Sequence, residues 1–204
     1  MYRLLLGKVS ELSAQPLPCA LIKHAPEGAR RARWLAGRVL LSYALSPLPE
    51  IVYSAQGKPA FAAGLSLWFN LSHSGDHIAL LLSDEGEVGC DIEVIRPRKN
   101  WPALVDKIFS VGEQAEITCV GEEQKLTSFW QIWTRKEAII KQRGGNVWEM
   151  AAVDSTHFTD GFIAHYQRGA LSLSLCTPTP SSHIEIIFAA VNNQGELMFT
   201  RSPD

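Results

Sequence analysis

Leu67-Trp68-Phe69-Asn70-Leu71, His77-Ile78-Ala79-Leu80-Leu81-Leu82-Ser83 and Glu87-Val88-Gly89-Cys90-Asp91-Ile92-Glu93-Val94 are three apolar runs of strand length, close together in the chain. Ser74-Gly75-Asp76 and Asp84-Glu85-Gly86 separate them with turn-forming residues. These signals predict an up-and-down meander whose third strand returns toward the first turn and brings Asp91 and Glu93 to the level of Ser72-His73-Ser74. Side chains alternate faces along a strand, so Asp91 and Glu93 share one side, and Cys90, Ile92 and Val94 take the other. Two carboxylates roughly 6–7 Å apart repel by about 2 kcal/mol at an effective dielectric near 20. A bound divalent cation reverses the sign of that interaction.

Further along, Leu126, Phe129, Trp130, Trp133, Glu137 and Ile140 recur at three- and four-residue spacing, which predicts a helix from about Gln124 to the stop at Gly144-Gly145. Glu137 lies on its apolar stripe, where a carboxylate needs a cation or donors to offset lost hydration. Lys141, one turn on, offers a bare intrahelical pair of about 0.2–0.5 kcal/mol. The strand carboxylates offer the alternative, an oxygen site for Mg²⁺, which binds through a few carboxylates together with substrate phosphates.

Tyr2 to Val9 reads as a first strand, followed by a loop through Pro16, Pro18 and Pro26. Glu27 to Leu45 reads as a helix with Ala32, Leu35, Ala36, Val39, Leu40 and Tyr43 inward. Arg31 and Arg38 share one face of it, either as solvated surface or as an anion site. Ile51 to Ser54 and Ala60-Phe61 flank the turn Gln56-Gly57-Lys58-Pro59, which presents Lys58. His73 and His77 are separated by Gly75-Asp76, so a turn is favoured over a zinc pair, and Ser72, His73 and Ser74 offer phosphate donors or simple turn bonds. Trp101 to Phe109 and Gly112 to Cys119 read as short helices, with Ser110 and Glu113 forming a capping box. Val147 to Val153, Ala164 to Gln167, Ala170 to Cys176, His183 to Val191 and Glu196 to Thr200 read as strands. The expected fold is α+β, with two similar α/β halves, residues 1–88 and 89–204, and a cleft between them holding the acidic strand and Glu137.

The chain has 204 residues, 46% hydrophobic and 20% charged, as an ordinary globular protein does. A net charge of −2 argues against a global field for nucleic acid or anionic membrane. No run approaches the ~20 apolar residues of a membrane span. Cys19, Cys90, Cys119 and Cys176 lack paired spacing, so reduced thiols and a cytoplasmic location are expected.

Together the motifs resemble those of the Sfp-type 4'-phosphopantetheinyl transferases, closest to the AcpT group of holo-acyl-carrier-protein synthases. The segments that carry the resemblance are Gly57-Lys58-Pro59, Asn70-Leu71-Ser72-His73-Ser74, Gly89-Cys90-Asp91-Ile92-Glu93, Phe109-Ser110-Val111-Gly112-Glu113 and Trp133-Thr134-Arg135-Lys136-Glu137-Ala138-Ile139-Ile140-Lys141. They span roughly Arg31 to Gly145, and the residues beyond carry no matching motif. The resemblance implies a pseudo-twofold fold of antiparallel sheets, each packed by a long helix. It implies transfer of the phosphopantetheine arm of coenzyme A to a serine of an apo acyl or peptidyl carrier protein, with release of 3',5'-ADP. Asp91, Glu93 and Glu137 would hold Mg²⁺, with Mn²⁺ as an alternative ion. Arg31, Arg38, Lys58, Ser72, His73, Lys136 and Lys141 would contact coenzyme A, and Lys141 would stabilise charge on the diphosphate. Glu137 or a metal-bound water would take the serine proton, with Glu113 as a supporting acid.

Carrier proteins are acidic around the modified serine, so the stretch from Arg96 to Trp101 and the helix from Arg30 to Arg38 are the expected docking surfaces. A site completed within one chain implies a monomer. Two other readings use the same residues. A Mg²⁺-dependent nuclease or phosphodiesterase would need a basic path for many phosphates, and none is evident. A non-catalytic coenzyme A or carrier-protein binding module would be expected to lack a metal carboxylate, and all three are present.

Overall fold

The computed structural model describes residues 1–181 and 183–202. In chain order the elements are β1 (Tyr2–Lys8), α1 (Val9–Leu12), α2 (Cys19–Ile22), a 3₁₀ turn (Gly28–Arg30) leading into α3 (Arg31–Ala44), β2 (Ile51–Tyr53), β3 (Pro59–Phe61), β4 (Trp68–Ser74), β5 (His77–Ser83) and β6 (Gly89–Val94). Then follow α4 (Trp101–Ile108), α5 (Val111–Thr118), α6 (Glu122–Arg143), a 3₁₀ segment (Val147–Ala152), β7 (Phe162–Arg168), β8 (Leu171–Thr177), β9 (Ile184–Val191) and β10 (Leu197–Arg201). The fold is mixed α+β. Among the described residues no helix is long and apolar enough to cross a membrane.

One sheet has the order β10-β9-β1-β5-β4, a second β6-β8-β7, and β2 and β3 form a separate hairpin. Helix α3 packs on the first sheet, with Val39 and Leu40 against Leu5, Ile78 and Leu80. Helix α6 lies across β6 and β8 of the second. Between the sheets Leu4, Leu81, Cys90, Ile92, Leu173 and Leu175 form a shared core. The alternation read in the sequence is thus obeyed, since Cys90 and Ile92 enter this core while Asp91 and Glu93 turn the other way.

The structure corrects several expectations. β6 leaves the meander: β5 pairs with β4 and β1, whereas β6 pairs with β8. It runs against α6 so closely that a Cβ at Gly89 would lie 2.0 Å from the Ala138 carbonyl oxygen, which only glycine permits. β9 joins β1 in parallel and carries β10 with it, so the first sheet contains strands from beyond residue 183 and is not purely antiparallel. An unpaired β1 edge would have left backbone donors and acceptors to satisfy, and β9 supplies their partners. Val147–Ala152 is a 3₁₀ turn rather than a strand, because Asn146 and Glu149 form a capping box at its start. Ala32 and Tyr43 of α3 are exposed, and Tyr43 stacks on Phe199. The expected Ser110–Glu113 box is present, and Gly144 in the left-handed conformation closes α6. The four cysteines are unpaired, with Cys90 and Cys176 buried.

Candidate active site

Where β6 meets α6, Asp91 is 3% exposed, and its Oδ1 accepts hydrogen bonds from Lys141 Nζ at 2.6 Å and Ser72 Oγ at 2.8 Å. Its Oδ2 is buried with no partner. Ser74 Oγ donates to Glu93 Oε2. Glu137 and Lys141, one helical turn apart, approach from α6. Burial, reinforced by the charges of Asp91 and Glu93 against the opposing Lys141, pushes the Glu137 carboxyl up to about 7. Burial and Asp91 likewise raise Glu93. Burial favours the neutral amine of Lys141, but Asp91 and Glu137 outweigh it and the ammonium is held more firmly than usual.

The three carboxylates therefore share one electrostatic neighbourhood: the charge of Asp91 helps to raise both Glu93 and Glu137, and that of Glu93 helps to raise Glu137. They do not stand as a closed ligand cluster: among the described residues no three His, Cys, Asp or Glu side chains do. Lys141 and Ser72 engage one oxygen of Asp91, and Ser74 one of Glu93. A buried carboxylate oxygen without a partner, beside two acids pressed toward neutrality, is an all-oxygen donor set that suits a hard cation such as Mg²⁺.

On the other side of β4, His73 is exposed. Dehydration of part of its ring and the neighbouring Arg33 guanidinium lower its pKa. Arg33 had not been singled out in the sequence. It lies about 160° around the helix from Arg31, so the face defined by Arg31 and Arg38 is not the one that addresses His73. Arg38 is instead 6% exposed, donates to the Tyr53 hydroxyl at 2.8 Å and stacks over Trp34. Arg31 is exposed at the start of α3. Lys58 is tethered rather than free on its turn, bonded to Glu87 and, at 2.9 Å, to the carbonyl of Gln142. A cleft of about 410 Å³ opens beside it, lined by Ser54, Gln56, Arg143 and Gly144.

Three residues expected at the ligand are engaged elsewhere. Ser72 is buried and its hydroxyl serves Asp91, Lys141 Nζ at 2.9 Å and the backbone N–H of Ile92, which leaves no free donor for a phosphate. Lys136 and Glu113 are both wholly buried and bonded to each other at 2.6 Å. Lys136 also donates to the Val153 carbonyl, and Glu113 accepts from Ser110 N, Ser155 N and Ser155 Oγ. This pair fastens α6 to α5 and to the chain after the 3₁₀ segment, and in this packing neither side chain reaches the surface where a ligand could meet it. In the expected docking stretch, Arg98 stacks over Trp133 at 4.3 Å and Trp101 packs on Phe129.

A strand bearing Asp-x-Glu against a helix bearing Glu-x-x-x-Lys sets carboxylates and an ammonium along one seam, and the comparisons place the chain in a class of group-transferring enzymes. Residues 87–187 match the family model described as the 4'-phosphopantetheinyl transferase superfamily. The chain is 65% identical over 180 residues to the 4'-phosphopantetheinyl transferase AcpT of Escherichia coli strain K12, covering 88% of this chain and 92% of that one. It is 66% identical over the same length to the Salmonella typhimurium LT2 protein of that name, covering 94% of it, and 35% identical to the 4'-phosphopantetheinyl transferase psf-1 of Bacillus pumilus over 76% of each chain. The chain belongs to the 4'-phosphopantetheinyl transferase superfamily and is an enzyme of that activity.

Proposed function

We propose that the seam between β6 and α6 transfers 4'-phosphopantetheine from coenzyme A to the serine of an apo acyl or peptidyl carrier protein, with Asp91, Glu93 and Glu137 holding Mg²⁺. The observation that carries this reading is the partnerless Asp91 Oδ2, set beside Glu137 and Lys141. When bound, the ion supplies a Lewis acid and a template for the diphosphate. Lys141, already charged beside Asp91, faces the negative charge that develops in the transition state. Glu137 takes the serine proton with an oxygen not engaged elsewhere. The serine oxygen then forms the new P–O bond as the bond to 3',5'-ADP breaks, and the leaving phosphate keeps the electron pair. Lys58, His73 and Arg33 contact the nucleotide phosphates, with Arg31 at the periphery.

Residues 1–88 and 89–204 are read as pseudo-twofold halves, each a sheet with one long helix, with β9 and β10 returning to the first. One chain supplies every group named, so a monomer suffices. Four unpaired thiols suit the cytoplasm. Neither nucleic acid nor membrane is required.

Incubation with Mg²⁺, coenzyme A and purified apo carrier proteins should add one phosphopantetheine group, read by intact mass. No addition to any acyl or peptidyl carrier would refute the assignment. A second outcome concerns stability in chelator. Glu137 has a folded pKa of about 7 against an ordinary 4.5, so the folded state holds this proton more tightly than the unfolded state. That contribution is complete below about 4.5 and is lost as pH rises to about 7. Thermal unfolding of the metal-free protein should show the decline, Glu137→Gln should flatten it, and identical profiles for the two would contradict the shift.

A further inference from the structure

We propose that Ser74 is a positioning residue for the transfer, setting both the place of β6 and the direction of Glu93; this rests on reading Glu93 as an ion ligand. β6 has β8 on one edge only. On the other, the N–H groups of Cys90, Ile92 and Val94 meet side chains of β4: Asn70 Oδ1 at 2.9 Å, Ser72 Oγ at 3.2 Å and Ser74 Oγ at 3.1 Å. Backbone donors at a buried strand edge must be satisfied. Here a row of side chains at every second residue replaces the missing strand. The pairs advance together, 70 with 90, 72 with 92 and 74 with 94, so the two strands run side by side in one direction with matching periods.

Each serine uses its single oxygen in the same two bonds to β6, and Ser72 also accepts from Lys141. Each accepts from the backbone of one β6 residue and donates to the carboxylate of the residue before it: Ser72 to Asp91, Ser74 to Glu93. A hydroxyl has one donor and two acceptor sites, so both bonds coexist. Strand position and carboxylate direction are thereby tied to one atom on the opposite sheet. At Asp91 the load is shared, because Lys141 bonds the same oxygen. At Glu93, Ser74 is the one side chain hydrogen-bonded to the carboxylate among the described residues. Loss of the Ser74 hydroxyl therefore falls undivided on Glu93.

Groups that orient a metal ligand typically cost about 10–100-fold in metal affinity when removed. Mn²⁺ affinity, measured by the electron paramagnetic resonance of the free ion with coenzyme A present and no carrier protein, should fall about tenfold in Ser74→Ala. Ser74→Thr keeps the hydroxyl and should stay within about twofold of wild type. Amide hydrogen exchange at Val94 should accelerate in the alanine variant alone. Wild-type Mn²⁺ affinity and Val94 protection in Ser74→Ala, with binding lost in Glu93→Gln, would overturn the role of Ser74, as would equal losses in the alanine and threonine variants. Wild-type binding in Glu93→Gln would instead take Glu93 off the ion and defeat the reading beneath it.

Discussion

Asp91→Ala is expected to lower turnover by about 10³-fold or more, while the protein still folds. The carboxylate supplies one oxygen with no protein partner and another that holds Lys141, the groups proposed to meet the ion and the diphosphate. Its removal takes an anchor from the proposed cation and lets the ammonium drift. An electrostatic contribution of about 4 kcal/mol to the transition state corresponds to about 10³ in rate. The fold should survive because Lys141 is 27% exposed and can hydrate its freed charge. Loss of Asp91 also relieves the repulsion that adds to burial in raising Glu137. Single-turnover rates by intact mass, with circular dichroism melting as the control for folding, measure both halves of the expectation. A folded alanine variant with near wild-type turnover would remove Asp91 from the mechanism.

Lys136→Met should destabilise the protein by about 3–5 kcal/mol, the usual cost of stripping one partner from a buried ion pair. Both side chains of the Lys136–Glu113 pair are 0% exposed, so water cannot replace the lost ammonium. Glu113 would keep its bonds to Ser110 and Ser155 but carry an uncompensated charge. Adding Glu113→Gln should recover part of the loss, because the two effects are coupled. Denaturant unfolding of the single and double variants measures this, and coenzyme A affinity of folded Lys136→Met should be unchanged. A variant of wild-type stability with weakened coenzyme A binding would return Lys136 to the ligand.

The contrast between Lys136 and Lys141 shows how far the sequence could be read. Both lie in one helical motif, and helical periodicity places Glu137 and Lys141 on one face. It cannot say what covers the opposite face. α6 packs on β6 and β8 on one side and on α5 and the 3₁₀ segment on the other, so its second half is buried almost all round. A lysine on the hidden side then needs Glu113, which the sequence presented as a capping residue and, through the resemblance, as a supporting acid. The arginines of α3 repeat the lesson. Arg31 and Arg38 share a face by spacing, but Arg33 is the one whose charge reaches His73. The one local signal for it was its place in the helix from Arg30 to Arg38, which does not distinguish the faces of that helix.

Local rules acting within a few residues determined much of this protein from sequence alone. Strand alternation set Asp91 and Glu93 on one side, Ser110 and Glu113 began a helix, Gly144 ended one, and Glu137 was placed one turn before Lys141. Tertiary structure alone decided that β6 would leave β5, that β9 would close the edge of β1, and that Asn70, Ser72 and Ser74 would stand in for a strand. Those outcomes depend on satisfying backbone donors between segments far apart in the chain, and no periodicity within a segment records which distant partner will do so.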